Sequence, residues 1–177
     1  MPRLPSSSAG IATAKSRDLK VVGIVRRSEL IPDLEKLGVD FSAVESPQLP
    51  KQIQSATGGM PILLGLDAAG GPAAALIAAA LSPGAHFVGY AWLGGSPIHL
   101  SHVDLIGKRL NIQGFWMYYE DFLPKLHAAV SEAAQVVASG RLSLPITATY
   151  RPFQIKQSSP TSVAAKFHWI SPTQTKP

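Results

Sequence analysis

Cysteine is absent from the 177 residues of the chain. Disulfides and thiolate metal sites are thereby excluded, and the redox compartment stays open. Charge is sparse, with Asp, Glu, Lys and Arg at 15% of the chain. No apolar stretch reaches the roughly 18–20 residues that a membrane-spanning helix needs. The longest, Ala73 to Leu81, is alanine-rich and suits a packed helix, so no membrane partner is expected. The formal net charge is +5, yet the basic residues stand singly or in pairs, as at Arg26-Arg27 and Lys108-Arg109. Without a basic run interleaved with aromatics, nucleic acid is not an expected partner, and a phosphorylated cofactor is the more economical anion. His86, His99, His102, His127 and His168 have no mutual ligand spacing, so no metal is expected. No nucleophile-elbow spacing supports a Ser-His-Asp set.

What is present is a globular composition, 46% hydrophobic. Lys20 to Val25 (KVVGIV) reads as a buried strand. Ser28 to Leu37 has helical spacing, with Ser28 as its expected cap and Gly38 as its stop. Val39 to Val44 predicts a second strand and Lys51 to Ala56 a weak helix. Pro61 to Leu66 predicts a third strand, Asp67 to Gly71 a turn, and Pro72 the first residue of a helix to Leu81. His86 to Trp92 reads as a fourth strand before a Gly94-Gly95 turn, His102 to Arg109 as a short helix, and Asn111 to Trp116 as a fifth strand. Asp121 to Ser139 is the clearest helix, with an apolar stripe at Phe122, Leu126, Ala129, Val130, Ala133 and Val137, closed by Gly140. Glu120 and Asp121 suit the start of that helix rather than a paired-carboxylate site. Ile146 to Tyr150 and Ala165 to Ile170 predict further strands. Strands alternating with helices imply an α/β fold, a doubly wound parallel sheet whose ligands bind beyond the strands' carboxyl ends.

Five segments in this order, Lys20 to Arg27 (KVVGIVRR), Leu34 to Asp40 (LEKLGVD), Leu66 to Gly71 (LDAAGG), Leu81 to Gly89 (LSPGAHFVG) and Ile112 to Trp116 (IQGFW), resemble medium-chain dehydrogenase/reductases. The closest branch is the zinc-free quinone oxidoreductase and 2-enoyl thioester reductase group, and the likeness covers roughly Lys15 to Gln157. It implies a Rossmann-like cofactor domain at 19–157, flanked by a partly disordered remnant of the first βα unit at 1–18. An irregular tail with a last strand follows at 158–177. The implied reaction is hydride transfer between a nicotinamide dinucleotide and a carbonyl, quinone or enoyl substrate that the sequence does not identify.

The resemblance also implies a set of cofactor contacts. Arg26 and Arg27 follow the strand whose end meets the adenosine ribose, where arginine suits the 2′-phosphate of NADP and a carboxylate would suit NAD. Ala69, Gly70 and Gly71 would pass beside the adenosine and pyrophosphate, since glycine lets backbone approach a ligand. Gly89, Tyr90 and Ala91 would face the nicotinamide end, and Gly114, Phe115 and Trp116 would pass near the nicotinamide and the substrate cleft. NADP (NADPH) is the expected cofactor, and no catalytic residue is assigned. Without the family context, Arg26 and Arg27 read as the start of a solvated helix, Asp67 to Gly71 equally as an ordinary strand-to-helix turn, and Phe115 and Trp116 as core or subunit-contact residues.

The sequence departs from the pattern at its start. Ser6-Ser7-Ser8-Ala9-Gly10 stands where a Gly-rich fingerprint is expected, and the following helix is expected only over Ile11 to Arg17, too short to cross a sheet face. The first strand of the sheet and the substrate domain are not found before it. The expectation is therefore an N-terminally truncated cofactor domain, catalytically incomplete and weak in cofactor affinity. Two alternatives are a non-catalytic remnant that dimerises through the 111–116 edge strand, and an incorrectly assigned start with the missing half upstream. The Ser-rich, basic, acid-free N-terminus resembles a transit peptide without an amphipathic arginine face. It is read as a fold element in a cytoplasmic protein, with a mitochondrial address as the alternative.

Overall fold

A computed structural model describes residues 5–142. The apolar run after Lys20 forms β1 (Val22–Val25), and its β-branched side chains pack to both sides. It pairs in parallel with β2 (Phe41–Val44), Val22 opposite Phe41 and Val25 opposite Val44. A 3-10 turn (Ser28–Leu30) and α2 (Ile31–Lys36) connect the two strands and bury Leu30 and Leu34 against Val25. Then come α3 (Leu49–Ala56), β3 (Leu64–Asp67), α4 (Pro72–Ala80), β4 (His86–Gly89), a π turn (Val103–Gly107), β5 (Asn111–Gly114) and α5 (Leu123–Ala138). A first helix, α1 (Pro5–Lys15), precedes β1.

The expected parallel architecture is present in two ladders, β1-β2 and β3-β4-β5, with no ladder joining β1 to β3 among the described residues. Helices cover both faces of β1, because its side chains alternate. Val22 and Ile24 pack toward α3, whose Leu49 and Ile53 lie against Leu76 and Ala80 of α4. Val25 packs the other way, onto Ile11 of α1 and Leu34 of α2. Around β4 the core is Phe87, wholly buried among Ala74, Ala78, Leu81, Ala85 and Leu110.

Several expectations are corrected. α1 starts at Pro5, not near Ile11, because Pro5 is pre-set for a first helical position even though Ser-Ser-Ser-Ala-Gly carries no apolar period. Ser28 does not cap its helix: the cap position is Arg27, extended at φ −133° and ψ 133°, and the Leu30 N–H donates to the Arg27 carbonyl at 3.1 Å. The strands are shorter than the apolar runs that signalled them, β4 ending at Gly89 and β5 at Gly114. The apolar stripe expected on α5 does not face a core among the described residues. Val130 and Val137 are exposed, and it is Val136 that is buried, against Ala12 of α1 and Leu142. The strands expected at Ile146 to Tyr150 and Ala165 to Ile170 lie outside the described residues. No helix among the described residues is long and apolar enough to cross a membrane.

Candidate functional site

One end of the fold gathers the chemistry. At the other end, Lys15, the last residue of α1, pairs with Asp40 at 2.9 Å just before β2, and Asp40 accepts the Val21 N–H at 2.8 Å ahead of β1. These two bonds and the salt bridge from Lys20 (3.0 Å) hold the Asp40 carboxyl well below the usual carboxylate range, the Val21 bond being the largest cause. They fix the C-terminus of α1 at the strands' amino ends. Since Ile11 packs on Val25, the last residue of β1, the N-terminus of α1 points to the carboxyl ends. A helix N-terminus carries unpaired N–H groups and positive potential, which favour an anion.

At those carboxyl ends β3 finishes in Asp67, the one buried charged residue among the described residues. Its carboxylate accepts the Ala69 N–H at 3.0 Å and the Gly70 N–H at 3.1 Å, so the chain turns at once. Gly71 completes the turn at φ 65° and ψ −147°, a conformation nearly closed to other residues, and Pro72 opens α4. The segment after β4 folds onto this turn. The Leu93 N–H donates to the Ala68 carbonyl and the Gly94 N–H to the Ala69 carbonyl, both at 2.9 Å. Trp92 Nε1 donates to the Ser96 carbonyl at 2.8 Å, and Ser96 bridges to Gly70. The fit is tight enough that a Cβ at Gly94 would stand 2.4 Å from the Ala69 carbonyl oxygen.

Arg26 enters this cluster from the end of β1. Its Nη2 lies 3.6 Å from the Cβ position of Gly94, and its Nε lies 3.8 Å from Oε1 of Glu45, at the end of β2. The structure thus brings Arg26 together with the Ala69-Gly70-Gly71 turn, which the sequence placed in two separate readings. Arg27 is exposed and makes no ion pair among those found in the described residues. Gly89 accepts the Phe115 N–H at 2.8 Å, and the Tyr90 N–H donates to the Asp67 carbonyl at 3.0 Å. Ala91 is exposed. Phe115 and Trp116 follow β5, two strands from β3 and so about 10 Å to the side. Phe115 stacks edge-on against Phe122 with ring centres 4.9 Å apart, and Trp116 against Tyr118 at 5.5 Å.

Sequence reasoning missed three members of the cluster. Asp67 was visible only as the first residue of a turn, although Asp two and three residues before backbone N–H groups is an Asx-turn signal. Gly94 was read as an ordinary turn glycine. Glu45 carried no local signal.

A family model described as zinc-binding dehydrogenase matches residues 7–135. The mitochondrial enoyl-[acyl-carrier-protein] reductase of Arabidopsis thaliana is 31% identical over 112 residues, 60% of this chain and 30% of that protein. Among solved structures, an NADPH:quinone reductase from Mesorhizobium loti is 26% identical with a TM-score of 0.64, over 77% of this chain and 41% of that one. The complex of Etr1p of Candida tropicalis with NADP and crotonyl-CoA shares the fold at 19% identity and a TM-score of 0.71, over 84% of this chain and 44% of that one. The chain therefore spans less than half the length of each of these relatives. Zinc does not fit the described residues: the chain has no cysteine, and no three His, Asp or Glu side chains converge on a metal position.

Proposed function

The chain belongs to the zinc-binding dehydrogenase family, the medium-chain dehydrogenase/reductases, and from that premise we propose that it is the NADP-binding domain of an oxidoreductase. The observation that carries this reading is the placement of Arg26. Its side chain, 63% exposed, stands at the carboxyl end of β1 beside the backbone of Gly94 and the Ala69-Gly70-Gly71 turn, where a dinucleotide would pass. No carboxylate occupies position 26 or 27, the expected partner of an unphosphorylated ribose. When bound, NADPH supplies the hydride for a carbonyl, quinone or enoyl substrate. This chain's residues bind and orient it. Arg26 pairs with the 2′-phosphate, and the close-packed glycines admit the adenosine and pyrophosphate. Gly89, Tyr90 and Ala91 lie toward the nicotinamide end. The proton donor and the substrate contacts are assigned to residues outside this set, so the domain alone is incomplete for catalysis.

The test is calorimetric titration of the folded chain with NADPH and NADH. NADPH saturates the site and NADH binds more weakly, and Arg26→Glu abolishes the preference. A folded chain that ignores NADPH overturns the reading. A second reading, dimerisation through β5, rests on the exposure of all four of its residues, β5 pairing with β4 alone among the described residues. It is separated by the oligomeric state of the chain without nucleotide.

A further inference from the structure

The Arg26 guanidinium does not face solvent alone. Glu45 follows β2 as Arg26 follows β1, and its N–H donates to the Val25 carbonyl at 2.9 Å, so the two side chains leave adjacent strands at the same level. The Glu45 carboxylate approaches Arg26 Nε at 3.8 Å. Its side chain is 24% exposed against 63% for Arg26, so the carboxylate sits behind the guanidinium and an incoming anion meets Arg26 first. Next to Glu45, the Ser46 hydroxyl is buried with no hydrogen-bond partner among the described residues.

We infer that Glu45 is a specificity-determining residue that holds the domain back from strict NADP preference, by neutralising Arg26 and repelling the 2′-phosphate. The inference rests on the reading of this strand end as an NADP site. A phosphate seated on the open side of the guanidinium stands within about one Debye length of the carboxylate at ordinary ionic strength, close enough for two like charges to repel. An unphosphorylated ribose carries no such penalty, because its hydroxyls are neutral and can donate to a carboxylate. The same side chain therefore weakens NADPH and leaves NADH untouched or slightly favoured. Arg26 and Glu45 together set a ratio of affinities, and neither residue alone predicts it.

The test compares the chain with its Glu45→Gln and Glu45→Asp variants, titrated with NADPH and NADH at low salt. 2′,5′-ADP and AMP serve as probes of the adenosine end alone, and each variant's melting temperature checks that it folds. Glu45→Gln is expected to raise affinity for NADPH and 2′,5′-ADP about fivefold, with NADH and AMP unchanged or weaker. The gain is expected to shrink at about 1 M salt. Glu45→Asp keeps the charge and is expected to track the parent chain. A purely structural role would move all four ligands alike, and that result overturns the inference, as does weaker NADPH binding by Glu45→Gln. If the parent chain binds none of the four, the NADP reading itself falls and this inference with it. If the parent prefers NADPH and Glu45→Gln leaves the ratio unchanged, this inference alone falls.

Discussion

The Asp67 carboxylate and the Gly70 amide are joined twice, the Gly70 N–H lying 3.1 Å from each carboxylate oxygen, at the point where β3 becomes the turn into α4. The carboxylate is buried and spends its acceptor capacity on backbone, taking the Ala69 N–H as well. The turn that carries Ala69, Gly70 and Gly71 is thus shaped by one side chain.

Replacing Asp67 tests that dependence. Asp67→Ala leaves two amide N–H groups unpaired in a buried setting, a loss of about 2 kcal/mol, or roughly 5 °C in Tm for a domain of this size. NADPH affinity is expected to fall as well, since the glycine turn loses its support. Asp67→Asn keeps one acceptor oxygen and is expected to lose less on both counts. Thermal denaturation with and without NADPH measures both, and an Asp67→Ala variant as stable as the parent chain would refute the account.

Two glycines make opposite predictions from geometry. At Gly94 a methyl group would meet the Ala69 carbonyl at 2.4 Å, and backbone on both sides leaves little to yield. Gly94→Ala is expected to cost about 1–3 kcal/mol and to displace the loop that lies beside Arg26. At Gly10, in the middle of α1, a Cβ meets nothing within 4 Å. Gly10→Ala is expected to stabilise by about 0.5–1 kcal/mol through helix propensity. Paired melting curves decide between the two signs, and equal shifts would show that the clash at Gly94 is relieved by local movement.

What could be read from the sequence was local. The β-branched run before Arg26, Pro72 at a helix start and the Gly38 and Gly140 stops are signals within one turn of chain, and the elements appear where they point. The apolar spacing of α5 marked a helix that does form, whereas the face that packs is chosen by the neighbour, among the described residues Ala12 of α1 on Val136. The start of α1 went unread because serines and alanines give no apolar period. The site divides in the same way. Arg26 and the glycine turn were named as candidates through the family likeness, whereas Glu45 and Gly94 join the candidate cluster only because of partners 19 and 25 residues away (Glu45 to Arg26, Gly94 to Ala69).

The far end of the fold gives a pH prediction. Asp40 ties α1 to the start of β1 and β2 through Lys15, Lys20 and the Val21 N–H, and its folded pKa is depressed, chiefly by the Val21 bond. In the unfolded chain the group titrates near its ordinary value of about 3.9. Below that value the unfolded state takes up a proton that the folded state refuses, so stability is lost as pH falls toward the folded pKa. The contribution of Asp40 is therefore fully present from pH 7 down to about 5, and it drains away at lower pH. Asp40→Asn, which can still accept the Val21 N–H but carries no charge for the two lysines, is expected to melt below the parent chain at pH 7. The two melting temperatures are expected to converge as the pH is lowered below about 4. Thermal melts across that range measure the convergence. A gap that stays constant with pH would assign the role of Asp40 to packing rather than charge, and would free α1 from an electrostatic anchor at its C-terminus.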